Sequence, residues 1–180
     1  MAMTAPERLK AQVRCAYEWG RFRHAVLWSS MTLVLTGISV TVSRAGAWSV
    51  AIGGVLFLLT TVLMWYGGVA TRAARAGLKG GVVAFAIPIG MFHGYLGAHA
   101  GIAAVLTLNA ITGVSMGILL SIRSARLQRR RNGFLLGAGT VVVLSGALGC
   151  LFFGAIGAAG LAIGYAASTA PVMVYRGATA

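Results

Sequence analysis

Within and between the predicted membrane spans, few side chains could bind a metal, and these few lie toward the predicted outer side of the membrane. His93, His99 and Cys150, together with Met91, carry the imidazole, thiol and thioether groups that soft metal ions such as copper accept. A redox-sensitive site would use the same groups. The alternative is a pair of interfacial histidines bound to backbone or water, beside a small buried cysteine. We take His93, His99 and Cys150 as a candidate metal site, and no cofactor is predicted.

The sequence offers no acid–base pair for catalysis. Its only two acidic residues, Glu7 and Glu18, precede the first apolar stretch. General acid–base catalysis needs titratable groups placed together, and coupled transport commonly uses an intramembrane carboxylate. The sequence also lacks a phosphate-binding glycine loop followed by lysine, and it lacks the HExxH motif. These features predict that the protein is not an enzyme.

Asn109 is the most polar residue in the predicted fourth span, and Thr107, Thr112 and Ser115 lie near it. A polar group in lipid needs a hydrogen-bonding partner. Two interpretations follow. These side chains could line a path for a solute, or Asn109 could hydrogen-bond to a neighbouring helix.

The composition predicts a protein whose solvent is the lipid bilayer. Hydrophobic residues make up 58% of the 180 residues and charged residues only 9%, yet the net charge is +13. A soluble domain typically has about 25% charged residues. Because the basic residues lack the interleaved aromatics of a nucleic-acid surface, we interpret them as topology signals and contacts to anionic lipid headgroups, and we predict no nucleic-acid partner.

Gaps between charges predict six membrane spans. The charge-free runs 80–122 and 132–175 would each be about 65 Å long as a helix, against a hydrocarbon core of about 30 Å, so each must fold back as a hairpin. The predicted fold is therefore all-α: a polytopic bundle of six transmembrane helices after a short amphipathic cytoplasmic helix. The predicted segments are 1–24 (cytoplasmic), a membrane domain at 25–174 with spans at about 25–43, 48–67, 80–97, 101–121, 133–152 and 155–174, and a tail at 175–180.

Basic residues predict the orientation. Five arginines lie within 121–132, and such clusters stay on the cytoplasmic side. With both termini cytoplasmic, fourteen of the fifteen Lys and Arg residues face the cytoplasm, including those of a predicted basic loop at 68–79, and only Arg44 lies outside. The predicted location is a bacterial inner membrane. Cys15 and Cys150 would then lie on opposite sides, too far apart for a disulfide.

The N-terminal segment has a helical pattern with apolar and charged positions. Two interpretations stand: a helix that lies on the lipid headgroups, or a helix that docks a cytoplasmic protein. The candidate partner-binding residues are Leu9, Val13, Tyr17, Glu18 and Arg21.

Glycines spaced four apart predict close helix packing. The pairs are Gly113 with Gly117, Gly133 with Gly137, and Gly160 with Gly164. Small residues let helix backbones approach where lipid removes the hydrophobic driving force. The packing could be within one chain or between copies in a homo-oligomer.

Three runs carry a family resemblance: YEWGRFRHAVL, GGVLFLLTTVLMWYGG and LSGALGCLFFGAIGAAG. They resemble small six-span inner-membrane proteins of myxobacteria and their relatives, some of which are membrane-bound anti-sigma factors. The resemblance implies a regulatory membrane protein that sequesters an acidic cytoplasmic partner, such as a sigma factor, through the N-terminal helix and the basic loops. The alternatives are a small transporter or channel, or a structural subunit of a membrane complex.

Overall fold

The computed structural model describes residues 5–43, 46–91, 101–127, 130–151 and 154–175. Within these ranges the protein is all-helical, as the composition predicts. The helices are α1 (Ala5–Val42), α2 (Gly46–Tyr66), α3 (Gly68–Met91), α4 (Ile102–Ser124), α5 (Arg131–Cys150) and α6 (Ala155–Val174).

Five of these helices are long and apolar enough to cross a membrane: α1, α2, α4, α5 and α6. They are the helices expected of a multi-pass membrane protein. The exception among the described helices is α3. Its first half carries Arg72, Arg75 and Lys79, and its described apolar part, residues 80–91, is shorter than a bilayer core.

The structure differs from the predicted segments at two places. The basic segment at 68–79 is helical, so the predicted loop is wrong there; alanine, leucine, arginine and lysine dominate it, and all four favour helix. The connection between α2 and α3 is therefore the single residue Gly67. Both Gly67 and Gly68, the first residue of α3, have positive φ. In addition, α1 runs without a break through residue 24, where the cytoplasmic segment was predicted to end.

Helix α5 is the centre of the bundle, and α3 packs tightly along it. At two glycines between them, Gly77 and Gly149, there is no room for a side chain. A Cβ at Gly77 would lie 2.8 Å from the carbonyl oxygen of Ala138, and one at Gly149 would lie 2.9 Å from the Cα of Phe85. Backbone-to-backbone packing therefore holds α3 and α5 together.

A second close pair is formed by α4 and α6. A Cβ at Gly160 would lie 2.7 Å from the carbonyl oxygen of Leu106, and one at Gly113 would lie 2.8 Å from the amide nitrogen of Tyr165. Close packing by the glycines of α4 and α6 is confirmed, and it occurs within one chain. Gly133 in α5 departs from the prediction, because it is exposed and a Cβ there would meet no other atom.

Successive helices run in opposite directions where the described contacts define their direction. Helices α1 and α2 are antiparallel, since Thr36 lies against Gly53 and Glu18 against Trp65. Helices α5 and α6 are antiparallel as well, since Tyr165 donates a hydrogen bond to the carbonyl of Leu135 whereas Gly157 packs against Cys150.

Alternate helices run in the same direction. Near the start of α3, Arg75 contacts His24 of α1, and near the far end Ser39 of α1 donates a hydrogen bond to the carbonyl of Leu148 in α5. Helix α4 is antiparallel to α5, because Asn109 meets Cys150 and Ser124 meets Arg131. Helices α1, α3 and α5 therefore point one way, and α2, α4 and α6 the other.

This alternation gathers positive charge at one end of the bundle, which we call the basic end. It comprises the beginnings of α1, α3 and α5 and the ends of α2, α4 and α6. Every Lys and Arg side chain that the structure describes lies toward this end. The pattern has the asymmetry that the positive-inside rule describes.

Candidate functional site

At the basic end, α1 is fastened to the last turn of α2 through Trp65. The indole nitrogen of Trp65 donates a hydrogen bond of 3.1 Å to Glu18, and the Arg21 guanidinium donates to the Trp65 carbonyl. Glu18 and Arg21 also form an ion pair at 3.5 Å, and Phe22 packs edge-on against the Trp65 ring. The last carbonyls of a helix lack partners within it, so Arg21 completes the end of α2.

Beyond this junction, α1 continues past the end of α2. Glu18 faces Trp65, one residue before α2 ends, so residues 5–17 extend about 20 Å further along α1. Leu9, Val13 and Tyr17 are spaced four apart there, and each side chain is 62–64% exposed. Residues four apart lie on one face of a helix, so these three form an exposed apolar stripe.

The predicted partner-binding residues therefore divide into two groups. Leu9, Val13 and Tyr17 are free to meet another surface. Glu18 and Arg21 contact α2, and Arg21 also lies 5.7 Å from the centre of the Tyr17 ring. The contacts of Glu18 and Arg21 with Trp65 fix the position of the stripe relative to α2.

A second contact of α1 at the basic end involves Arg75 of α3. Its guanidinium lies 3.1 Å from Nε2 of His24 and 5.3 Å from the centre of the Trp28 ring. Because arginine donates and has no acceptor, His24 accepts through Nε2 in this arrangement. The cation–π contact and the hydrogen bond together hold Arg75 above a groove between α1 and α3.

Among the predicted metal ligands, Cys150 is fully buried, and its thiol donates a hydrogen bond of 3.3 Å to Oδ1 of Asn109. His93 and His99 lie outside the described residues, and so does the side chain of Met91. Within the described ranges, no three metal-ligating side chains come together. The metal site remains a prediction, and the sequence did not indicate that Asn109 pairs with Cys150.

The polar residues of α4 find partners close by. Asn109 donates to the Val105 carbonyl of its own helix while it accepts from Cys150. The hydroxyls of Thr107, Thr112 and Ser115 each donate to the carbonyl four residues earlier. Of the two interpretations of Asn109, this arrangement supports the hydrogen bond between helices.

Within the arginine cluster, Arg131 differs from its described neighbours. Its Nε donates a 2.8 Å hydrogen bond to the Ser124 hydroxyl and its Nη2 a 3.4 Å bond to the Ser121 carbonyl. Arg131 therefore joins the end of α4 to the start of α5. Arg123, Arg126 and Arg130 are exposed at the basic end.

Sequence reasoning missed two residues that organise this end, Trp65 and Arg75. Trp65 lies at the end of the predicted span 48–67, where aromatic residues commonly mark the membrane interface. That position predicts the depth of the side chain in the membrane and not its partner. Arg75 was grouped with a loop, and only the helical spacing of Arg72, Arg75 and Lys79 with the neighbouring alanines could have placed it on a helix face.

Comparisons with known proteins return no relative: no family model matches this chain, and no curated protein or solved structure matches it.

Proposed function

We propose that this protein is a membrane-anchored regulator whose exposed stripe on α1, formed by Leu9, Val13 and Tyr17, binds a cytoplasmic protein. The observation that carries the proposal is the continuity of α1. One helix contains both a candidate span and an extension that passes the end of α2. A partner bound to the stripe would therefore be coupled to the packing of α1 in the bundle.

The chemistry of the stripe points to a helix-in-groove interaction. Apolar residues at spacings of four are the anchors that such grooves accept. Lys10 and Arg14 are exposed beside the stripe, and Glu7 is the only acidic residue before the Trp65 junction. The partner would therefore have an apolar groove with an acidic rim. A sigma factor with such a groove is the partner that the family resemblance suggests.

We further propose that all six helices cross the membrane, with the basic end in the cytoplasm of a bacterial cell. Alternation of the helix directions supports this arrangement, since α3 runs parallel to α1 and α5 and packs along α5. Its cations lie at the same end as those of α1 and of the α4–α5 connection. An N-terminal extension on the cytoplasmic side would meet cytoplasmic proteins.

The test compares two pairs of aspartate substitutions in the full-length chain. Leu9→Asp with Val13→Asp places two charges in the stripe. Ala11→Asp with Cys15→Asp places the same charges, at the same spacing, on the opposite exposed face of α1. Proteins that co-purify in mild detergent are identified, and the binding is then measured again with the purified partner at two salt concentrations.

We expect a partner that binds the wild-type chain and the opposite-face variant, is lost from the stripe variant, and binds more weakly in high salt. Equal binding by both variants would contradict a docking role for the stripe. Absence of any soluble partner from the wild-type chain would favour the headgroup-bound helix instead.

A further inference from the structure

The groove between α1 and α3 combines an apolar floor with two cations at its rim. It has a volume of about 350 Å³ and is lined by Trp28, Met31 and Leu35 of α1 and by Arg75, Leu78, Lys79 and Val82 of α3. It forms because α1 packs mainly on α2 and α3 mainly on α5, so α1 and α3 touch each other only lightly. Leu35 and Leu78 are buried at its floor, whereas Met31 is 53% exposed.

Among the residues that the structure describes, no acidic side chain lies near the cations at the rim. Arg75 and Lys79 are one helical turn apart on α3 and line the same groove. The whole chain contains two acidic residues, and Glu18 is engaged by Arg21 and Trp65. Glu7 precedes His24, the α1 residue in contact with Arg75, by about 25 Å along the helix axis.

We propose that this groove is a binding site for one acidic phospholipid. The headgroup phosphate would bind Arg75 and Lys79, and an acyl chain would lie along Met31, Leu78 and Val82. Three observations favour this occupant: two uncompensated cations, an apolar channel below them, and a position beside candidate membrane spans. Contact with His24 and Trp28 also holds Arg75 in place before a lipid arrives, which reduces the ordering cost of binding.

This site is separate from the exposed stripe and does not depend on the proposed partner. Its lining residues lie on the bundle side of the Trp65 junction, whereas the stripe lies beyond it. The proposal also goes beyond a general attraction of basic residues to headgroups, because it assigns one lipid to two named cations and a defined groove.

Native mass spectrometry of the full-length protein in detergent tests the proposal with added phosphatidylglycerol or phosphatidylethanolamine. We expect a one-to-one complex that forms preferentially with phosphatidylglycerol. Arg75→Gln and Lys79→Gln should each weaken it about fivefold and the double variant roughly thirtyfold, since each basic residue near an acidic lipid contributes a factor of about five. The matched control, Arg72→Gln with Arg126→Gln, removes the same charge from exposed positions outside the groove and should bind as the wild type does.

Two further experiments distinguish the contribution of the headgroup to binding from that of the acyl chain. Val82→Trp fills the groove without changing its charge and should weaken the complex with long-chain phosphatidylglycerol. Inorganic phosphate and glycerol 3-phosphate should compete poorly, because they lack the chain. The proposal is overturned if the two lipids bind equally, if the control pair weakens binding as much as the groove pair, or if phosphate alone displaces the lipid at comparable concentration.

Discussion

The Cys150 thiol donates a 3.3 Å hydrogen bond to Oδ1 of Asn109, which ties the last residue of α5 to a position two turns into α4. Both side chains are buried, and Gly157 of α6 packs against both of them. In a lipid environment such a bond between helices contributes about 0.6 kcal/mol on average. Asn109 therefore acts as a contact between helices, and its effect is measurable at the neighbouring thiol.

We expect Asn109→Ala to increase the rate at which Cys150 reacts with a maleimide, because the substitution removes the hydrogen bond and leaves a small cavity beside the thiol. In the wild-type protein Cys15, which is exposed, should react quickly and Cys150 only after denaturation. Mass spectrometry of labelled peptides measures both rates. Thr107→Ala is the control, since Thr107 is exposed and bonds only within α4; equal Cys150 rates in the two variants would contradict the role of Asn109.

Gly164 should tolerate no side chain. A Cβ at this position would overlap the Ala110 backbone, so Gly164→Ala must push α4 and α6 apart. Overpacking of this kind costs about 1–3 kcal/mol of unfolding free energy. Gly54→Ala is the matched control, because a Cβ there meets no atom within 4 Å and alanine favours helix. Unfolding in mixed micelles measures both changes, and a similar loss in the two variants would argue against tight α4–α6 packing.

Arg131→Gln should destabilise the α4–α5 hairpin by about 1–2 kcal/mol. The substitution removes a charged donor from the Ser124 hydroxyl and the Ser121 carbonyl at the end of α4. Arg126→Gln removes the same charge from an exposed position and should leave the unfolding free energy almost unchanged. If both variants unfold alike, the arginines act only as topology signals.

Gly101 lies just before α4, so its side of the membrane shows whether α3 crosses. If all six helices cross, a cysteine at this exposed position is outside the cell membrane and reacts with a membrane-impermeant maleimide. The experiment uses Gly101→Cys with Cys15→Ser and Cys150→Ser, and the wild-type Cys15 reports the side on which α1 begins. Labelling of both position 101 and Cys15 only after the membrane is opened would mean that α3 does not cross.

Much of the fold could be predicted from charge spacing. In lipid every backbone N–H and C=O group needs a hydrogen-bonding partner within the protein, and a long apolar run provides these partners by forming a helix. The five candidate spans follow from this rule. The start of α3 at Gly68 was missed because basic residues beside a span resemble a loop when only charge is counted.

The contacts at the candidate site could not be predicted in the same way. Trp65 meets Glu18 only because of the register between α1 and α2, and register depends on close packing such as that of Thr36 against Gly53. A single sequence predicts which faces are apolar but does not give the offset of one helix along another. The exposure of Leu9 and Val13 follows from that offset, because it determines how far α1 extends past α2.

The central claim is that the exposed stripe of α1 binds a protein, and a photocrosslinking amino acid at Val13 in living cells tests it most directly. The full-length chain carries the probe at position 13 or, as the control, at position 11 on the opposite face of α1. Our account predicts one dominant protein adduct from position 13 that is absent from position 11. Lipid adducts alone at position 13, or the same protein adducts at both positions, would contradict it.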